Sequence, residues 1–224
     1  MYVPDVKSTI DSISFEWNGE LTNIENIHNF INIFLDLTDP HNKIGTRIYE
    51  HTMRVIKIAE KLMTKEIADR EVVIIAILLH DIGKTLCDNS HNLVSYRIAE
   101  LILDKYNYPE NKRKKVLDCI LYHSAKDLKA LDLSDELKVV MDADIIDEIG
   151  ILLIVRTCIR TPNKNLSVHE LIRNLESKYV QIDRNSALVK TKYGADIYCQ
   201  KKKKYKDYID QLKAESAEYK IKFQ

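Results

Sequence analysis

The chain has 224 residues, a formal net charge of zero and four cysteines. The neutral charge gives no indication of a nucleic-acid partner. The four cysteines lie far apart in the sequence, which argues against a structural zinc knuckle and favours a reducing, cytoplasmic setting. The longest uncharged apolar runs, residues 72–79 and 149–155, are much shorter than the roughly 20 residues that span a bilayer, so no membrane association is expected.

Few turn-breaking residues occur, which favours helices joined by short connections. Apolar residues at helical spacing predict a helix from Asn23 that ends at Asp39-Pro40, and another over about 46–64. Residues 71–82 fit either a buried strand or a helix that is apolar on all sides. We interpret them as a helix capped by Asp69, because no second strand-like run could pair with them. Further helices are predicted at about 91–106, 110–124, 134–158, 167–182 and 194–219.

No repeat, linker or low-complexity block divides these helices, so we predict a single all-α domain. Within it, residues 1–40 are expected to form an N-terminal helical extension. Residues 41–160 are expected to form the core, and residues 161–224 a C-terminal helical subregion packed on that core.

The pair His80–Asp81 is the strongest chemical signal, because it directly ends the apolar run 72–79. Two polar side chains against buried apolar residues are costly unless a partner such as a divalent cation satisfies them. His51 lies on the same inward helix face as Val55, Ile58 and Leu62, and Asp144 lies in a further apolar helix. Each residue alone has a structural alternative, such as a core histidine or a helix end beside water. One shared metal explains all of them together.

The order His51, His80-Asp81, Asp144 resembles the HD-domain metal-dependent phosphohydrolases. The likeness extends to the blocks around each residue, which are His51–Val55, Leu78–Lys84 and Asp142–Gly150. Residues 191–195 and the charged helix after them are similar to the C-terminal part of a bacterial HD subgroup of nucleotide or small-phosphoester hydrolases. The resemblance covers about residues 40–215 and does not carry the identity of the substrate.

The resemblance implies an all-α HD-domain bundle in which His51, His80, Asp81 and Asp144 bind one divalent ion. Nitrogen and oxygen ligands fit manganese, cobalt, nickel, iron or magnesium, and the pattern does not choose among them. The implied activity is metal-dependent hydrolysis of a phosphoester or phosphoanhydride bond, with an activated water as nucleophile. The expected substrate is a nucleotide or a similar small phosphorylated metabolite.

Four residues are candidates for catalytic roles, namely Asp81, Lys84, His91 and His123. The Lys84 ammonium, directly after Gly83, could contact a phosphate oxygen. Some HD subfamilies place histidines at positions like His91 and His123, where they bind a second metal or the substrate phosphate. With Asp81 as a bridge, two metals about 3.5–4 Å apart could clamp the reacting oxygens. The alternative is that both histidines are polar residues at helix ends.

Other polar residues near these motifs are weaker candidates. Arg47 and Arg54 flank His51 and could point toward the same site, although Arg54 could instead form a structural ion pair. Asp88 or Asp147 could transfer protons. Nothing in the sequence fixes the direction of Glu148.

Two alternative functions remain open at this point. One is a phosphodiesterase for cyclic nucleotides or dinucleotides, although the Gly-Tyr-Pro signature of the cyclic-dinucleotide branch is absent. The other is a non-catalytic module that senses metal and nucleotide. The basic run 201–204 is interpreted as the solvated face of an amphipathic helix, so no nucleic acid is expected as a partner. A homodimer through the apolar face of that last helix is left open.

Overall fold

The computed structural model describes residues 6–12, 23–39, 41, 44–125, 128, 133–160 and 166–218. Every regular element within these ranges is helical, which confirms the predicted all-α fold. The chain divides into two compact units, residues 1–144 and 145–224. The domain bounds predicted at residues 40 and 160 stay a prediction. Pro40, where the helix from Asn23 was predicted to end, lies outside the described residues.

The first unit contains most of the helices that were predicted from apolar spacing. They run close to the expected bounds, and a short 3₁₀ turn, Ile82–Thr85, lies just after the apolar run 72–79. The helices are α1 (Val6–Ser12), α2 (Asn23–Thr38), α3 (Gly45–Leu62), α4 (Arg70–Leu79), α5 (His91–Lys105), α6 (Glu110–Tyr122) and α7 (Asp135–Asp147), of which the last three residues fall in the second unit.

Helix α4 is the centre of the first unit, and each of its residues from Val72 to Leu79 is buried. The Asp69 carboxylate caps it by accepting the backbone N–H groups of Glu71 and Val72 at 3.0 and 3.3 Å. A helix that is apolar on all sides must be enclosed, and α2, α3, α5 and α6 pack around this one. The helical interpretation of this run is confirmed, and the chain that follows α4 begins in the protein interior.

The 3₁₀ turn after α4 packs closely against α5. The Gly83 N–H donates a 2.9 Å hydrogen bond to the buried Ser95 hydroxyl. A Cβ atom on Gly83 would lie 2.7 Å from both the His91 carbonyl oxygen and the Ser95 backbone nitrogen. Glycine is therefore required for this approach, which brings the start of α5 beside the residues that end α4.

The single helix predicted over 134–158 is wrong, because the structure contains two helices there. Helix α7 ends at Asp147, and α8 (Ile151–Arg160) starts after Gly150, which has a φ of +93°. This left-handed backbone conformation favours glycine and commonly ends helices. The break separates α7, which carries Asp144, from α8 in the second unit.

The second unit continues with α9 (Val168–Asn185), a 3₁₀ turn (Ser186–Leu188) and α10 (Lys192–Glu218). Helices α9 and α10 pack together, and the Tyr205 hydroxyl donates to the Leu175 carbonyl at 3.1 Å. Tyr205 and Ile209 are buried in this packing. The apolar face of α10, on which a homodimer contact was left open, is thus largely used within the chain. Among the described residues, no helix combines the length and apolarity needed to cross a membrane.

Candidate metal centre

Histidine and carboxylate side chains from α3, from the end of α4 and from α7 meet in the first unit. The His51 Nε2 atom lies 3.1 Å from Asp144 Oδ1 and 3.6 Å from Asp81 Oδ2. The His80 Nε2 atom lies 3.4 Å from Asp81 Oδ2 and 3.9 Å from Asp144 Oδ1. The four residues predicted as metal ligands thus form one cluster, although they come from three separate parts of the sequence.

Two atoms of this cluster, His80 Nε2 and Asp81 Oδ1, are buried without a hydrogen-bond partner. The other ring nitrogen of His80, Nδ1, lies 2.7 Å from the Ile77 carbonyl oxygen. A proton on Nδ1 satisfies that contact, and it leaves the lone pair of Nε2 directed into the cluster. Buried polar atoms without partners are destabilising, and a cation would satisfy both. The residues therefore fit a divalent metal, with ligand atoms of His51, His80 and Asp81 within 4.8 Å of one another.

Asp81 also belongs to a second group of possible ligands. Its Oδ1 atom lies 3.5 Å from His91 Nε2 and 3.8 Å from His123 Nε2. The Nδ1 atom of His123 lies 2.7 Å from the Ile120 carbonyl oxygen, and that of His91 lies 3.0 Å from the Asp88 carbonyl oxygen. Both rings thus have Nε2 turned toward Asp81, so the geometry has room for one bound ion or for two that share Asp81.

Lys84 contacts the same aspartate, with its Nζ atom 2.5 Å from Asp81 Oδ2. The ammonium is partly exposed, whereas the carboxylate is buried. In this arrangement Lys84 neutralises the Asp81 carboxylate, and its role as a phosphate contact stays a prediction.

The surrounding charges keep the two carboxylates of the cluster ionised. Burial alone would raise the pKa of Asp81, but the positive charges of His80, when its ring is protonated, and of Lys84 outweigh it and hold this pKa well below its ordinary range. Burial would likewise raise the pKa of Asp144, where the hydrogen bond with His51 helps to lower it instead. Ionised carboxylates are the form that binds a metal.

The His123 imidazole is kept in its neutral form. Burial, followed by the charge of His80, lowers the pKa of His123 below its ordinary value. The acidic neighbours Asp144 and Asp81 oppose this shift without reversing it. A neutral imidazole offers the lone pair that a metal or a protonated phosphate oxygen requires.

The weaker candidates lie in different surroundings. Asp88 is exposed, and its backbone carbonyl contacts His91. Asp147 belongs to the second unit, where the Arg156 guanidinium donates to its carbonyl oxygen at 2.6 Å. Arg47 is exposed on α3, and Arg54 is half-buried. Their chemical roles stay predictions.

Sequence reasoning missed one residue that supports the site, Ser95. Its buried hydroxyl accepts the Gly83 N–H and so ties α5 to the turn that carries Asp81. Ser95 lies four residues after His91, on the same helix face, and this spacing could have indicated from the sequence that Ser95 lies near the site.

Three solved structures share this fold over most of their length. The first is a predicted HD superfamily hydrolase from an uncultured Thermotogales bacterium, with 21% identity and a TM-score of 0.60 over 88% of this chain and 95% of that chain. Bacillus subtilis YpgQ in complex with ADP has 21% identity and a TM-score of 0.60 over 86% and 97%. A protein from Lactobacillus plantarum has 20% identity and a TM-score of 0.61 over 87% and 96%. No curated protein sequence matches the chain.

The family comparison agrees with the geometry of the cluster. Residues 48–149 match the model of the HD domain, and this range contains every histidine and aspartate of the two ligand groups. Residues 48–149 of this protein are therefore similar to the HD domain in sequence, over the stretch that carries the cluster.

Proposed function

We propose that this protein is a metal-dependent phosphohydrolase whose divalent ion is held by His51, His80, Asp81 and Asp144. The observation that carries the proposal is the pair of buried atoms without partners, His80 Nε2 and Asp81 Oδ1, at the centre of these residues. A divalent ion bound there would supply a water of lowered pKa and would neutralise charge on a phosphoryl group. The identity of the ion, among Mn, Co, Ni, Fe and Mg, is left to experiment.

The remaining residues of the site can bind and orient a phosphate. Lys84 is partly exposed, so its ammonium can contact a substrate oxygen while it stays near Asp81. His91 and His123 lie 3.4 Å apart through their Nε2 atoms and face Asp81 together. We assign them to hold either the phosphate or a second ion, which makes Asp81, Lys84, His91 and His123 the catalytic group.

We further propose that the substrate is a nucleotide or a similar small phosphorylated metabolite. YpgQ of B. subtilis, which shares the fold, was crystallised with ADP, and this supports testing nucleotides first. Four free cysteines support a reducing compartment, so we propose that the protein acts in the cytoplasm.

A substrate panel tests this function. Metal-free protein is assayed for release of phosphate and pyrophosphate from nucleoside mono-, di- and triphosphates and from cyclic nucleotides, with each of the five metals added in turn. We expect turnover that requires metal and that is lost in His51→Ala. The matched control is His169→Ala, because His169 is an exposed histidine outside the cluster.

Each result of the panel has a distinct meaning. Release of phosphate or pyrophosphate from a linear nucleotide identifies the bond that is cut. Opening of cyclic substrates alone would identify a phosphodiesterase instead. Bound metal and bound nucleotide without turnover under any metal would contradict the enzymatic proposal and indicate a sensing module.

A further inference from the structure

Two cationic side chains bind the last carbonyl groups of α7. The Lys201 ammonium, on α10, donates to the Ile146 carbonyl oxygen at 2.5 Å. The Arg156 guanidinium, on α8, donates to the Asp147 carbonyl oxygen at 2.6 Å and lies 3.6 Å from the Asp147 carboxylate. The last four carbonyl groups of a helix have no partner within it, and a positive charge is favourable at this end of the helix dipole. We refer to Arg156 and Lys201 as the α7 clamp.

The contact of Lys201 differs from the interpretation of the basic run 201–204 as a solvated helix face. Lys203 and Lys204 are exposed and agree with that interpretation. Lys201 is only partly exposed, and its ammonium contacts a backbone carbonyl of another helix. The first lysine of the run therefore has a specific partner at the end of α7.

Gly150 provides the room through which the Lys201 side chain reaches α7. A Cβ atom on Gly150 would lie 3.1 Å from Lys201 Cε and 3.9 Å from Lys201 Cβ. Its φ of +93° also turns the chain away from the helical path just after α7 ends. The lysine stem thus packs at the break between α7 and α8, with its ammonium on the Ile146 carbonyl.

Asp144, a candidate metal ligand, lies in the turn of α7 that the α7 clamp contacts. Because α7 ends at Asp147, Asp144 is the first of its last four residues. Helix ends fray, and a residue in a frayed turn loses the backbone angles that direct its side chain. Asp144 Oδ1 lies 3.1 Å from His51 Nε2, and a change in the last turn would open this contact.

We propose that Arg156 and Lys201 are positioning residues for the metal centre, because they hold the last turn of α7 in helical form and so fix the direction of Asp144. The inference rests on the proposed function, in which Asp144 binds the ion. Both cations act through the backbone carbonyls of α7 and not through contact with the ion. Loss of a residue that orients a metal ligand weakens metal binding by about 10–100-fold, and we expect the lower end of this range for a contact through the backbone.

Hydrogen exchange on the metal-free full chain tests the α7 clamp without any ligand. Lys201→Met keeps the apolar stem beside Gly150 and removes the ammonium. We expect the backbone amides of residues 144–147 to exchange about fivefold faster in Lys201→Met than in wild type, and those of α4 to exchange at the same rate. Lys203→Met is the matched control, because Lys203 is exposed on the same helix, and it should change neither rate.

Calorimetry with Mn²⁺ tests whether the α7 clamp positions the metal ligand. We expect the Kd for Mn²⁺ to rise about tenfold in Lys201→Met and to stay unchanged in Lys203→Met. Tyr205→Phe controls for lost stability, because it also removes one donor to a helix carbonyl, that of Leu175, in the same unit. It should lower the Tm and leave the Mn²⁺ affinity unchanged. If Lys201 acted through stability alone, both variants would weaken metal binding.

Arg156→Lys tests the other member of the α7 clamp and remains informative where Lys201→Met does not fold. It keeps a positive charge near the Asp147 carboxylate, whereas a shorter donor replaces the guanidinium that contacts both the carboxylate and the carbonyl. We expect the same two changes, which are faster exchange at residues 144–147 and weaker Mn²⁺ binding. Circular dichroism establishes that each variant is folded.

Two results would overturn the inference. Unchanged exchange at residues 144–147 in the folded variants of Lys201 and Arg156 would show that the last turn of α7 does not need these contacts. Faster exchange with unchanged Mn²⁺ affinity would show that the contacts do not position Asp144. A wild-type protein that binds none of the five metals would contradict the proposed function instead, and exchange of the Asp144 amide would then decide alone whether the α7 clamp orders this residue.

Discussion

The backbone N–H of Gly83 donates a hydrogen bond of 2.9 Å to the buried hydroxyl of Ser95. This contact joins the turn after His80–Asp81 to α5, the helix that begins with His91. Since His91 Nε2 lies 3.5 Å from Asp81 Oδ1, the contact holds the two halves of the candidate site in register.

Replacing Gly83 with Ala should loosen the site as well as destabilise the fold. The new Cβ atom would lie 2.7 Å from backbone atoms of His91 and Ser95, so α5 must shift. We expect a loss of about 1–3 kcal/mol in the free energy of unfolding, measured in urea, together with weaker metal binding measured by calorimetry. Gly45→Ala is the control, because its Cβ meets its nearest atom at 3.4 Å. Equal metal affinity in wild type and Gly83→Ala would contradict the positioning role of this turn.

Replacing Ser95 with Ala should leave the Gly83 N–H buried without an acceptor. The expected loss is about 1–3 kcal/mol in the free energy of unfolding, because a buried donor then lacks its partner. Ser90→Ala is a suitable comparison, since Ser90 is exposed and its side chain makes no cap hydrogen bond. We expect its effect to stay within about 0.5 kcal/mol. Similar losses in the two variants would show that the Ser95 hydrogen bond contributes little.

The ion pair at the start of α4 should make stability depend on acid pH. Burial would raise the pKa of Asp69, but its hydrogen bond to Lys112, at 3.0 Å, and the backbone bonds of the cap lower it. A carboxyl group whose pKa is lower in the folded than in the unfolded state stabilises the fold above its unfolded pKa, near 4. This stabilisation disappears as the pH falls from about 5 through the folded pKa.

Asp69→Asn isolates the contribution of the Asp69 charge to the free energy of unfolding, because Asn keeps the helix cap and removes the charge. Urea unfolding at a series of pH values should show a shallower loss of stability toward acid pH in Asp69→Asn than in wild type. Asp135→Asn serves as the comparison, since the Asp135–Lys138 pair is exposed and contributes little. An unchanged acid slope in Asp69→Asn would contradict this assignment.

Metal should stabilise the protein measurably, because its site contains buried atoms without partners. At a free metal concentration about 100 times the dissociation constant, binding adds about 2.7 kcal/mol to the free energy of unfolding. We expect the Tm to rise with Mn²⁺, to fall with a chelator, and to be insensitive to both in His80→Ala. His28→Ala provides the control, since His28 contacts Tyr49 on another face of α3. A metal response that survives in His80→Ala would place the bound ion elsewhere.

Much of the fold and of the candidate site could be predicted from local sequence patterns. The eight apolar residues of α4 predict an element that is buried on all sides, and a helix was favoured because no second strand-like run could pair with them. The His80–Asp81 pair that follows was therefore expected to lie inside. Histidine at that position, with His51 and Asp144 on other apolar helices, indicated the ligand set. The family resemblance then implied that these residues bind one divalent ion together.

Other features depend on tertiary contacts that no local pattern contains. Gly150 lies in a mostly apolar stretch that continues at helical spacing, and its left-handed backbone conformation separates α7 from α8. The spacing of Asp81 and Lys84 allows the two side chains to contact each other. It does not indicate whether the Lys84 ammonium binds the Asp81 carboxylate or a substrate phosphate. The apolar spacing of α8 alone would indicate a buried side, whereas Ile151, Leu152, Val155 and Ile159 are exposed.

The most direct test of the central claim compares wild type with Asp81→Asn, which keeps the shape of the side chain and removes its charge. Bound Mn²⁺ and phosphate release from a nucleotide are measured on the same samples. We predict that the wild-type protein binds Mn²⁺ and releases phosphate from the nucleotide only when the metal is bound. Asp81→Asn should release no phosphate and should bind the metal at least about tenfold more weakly. Full metal binding and full turnover in folded Asp81→Asn would contradict the account.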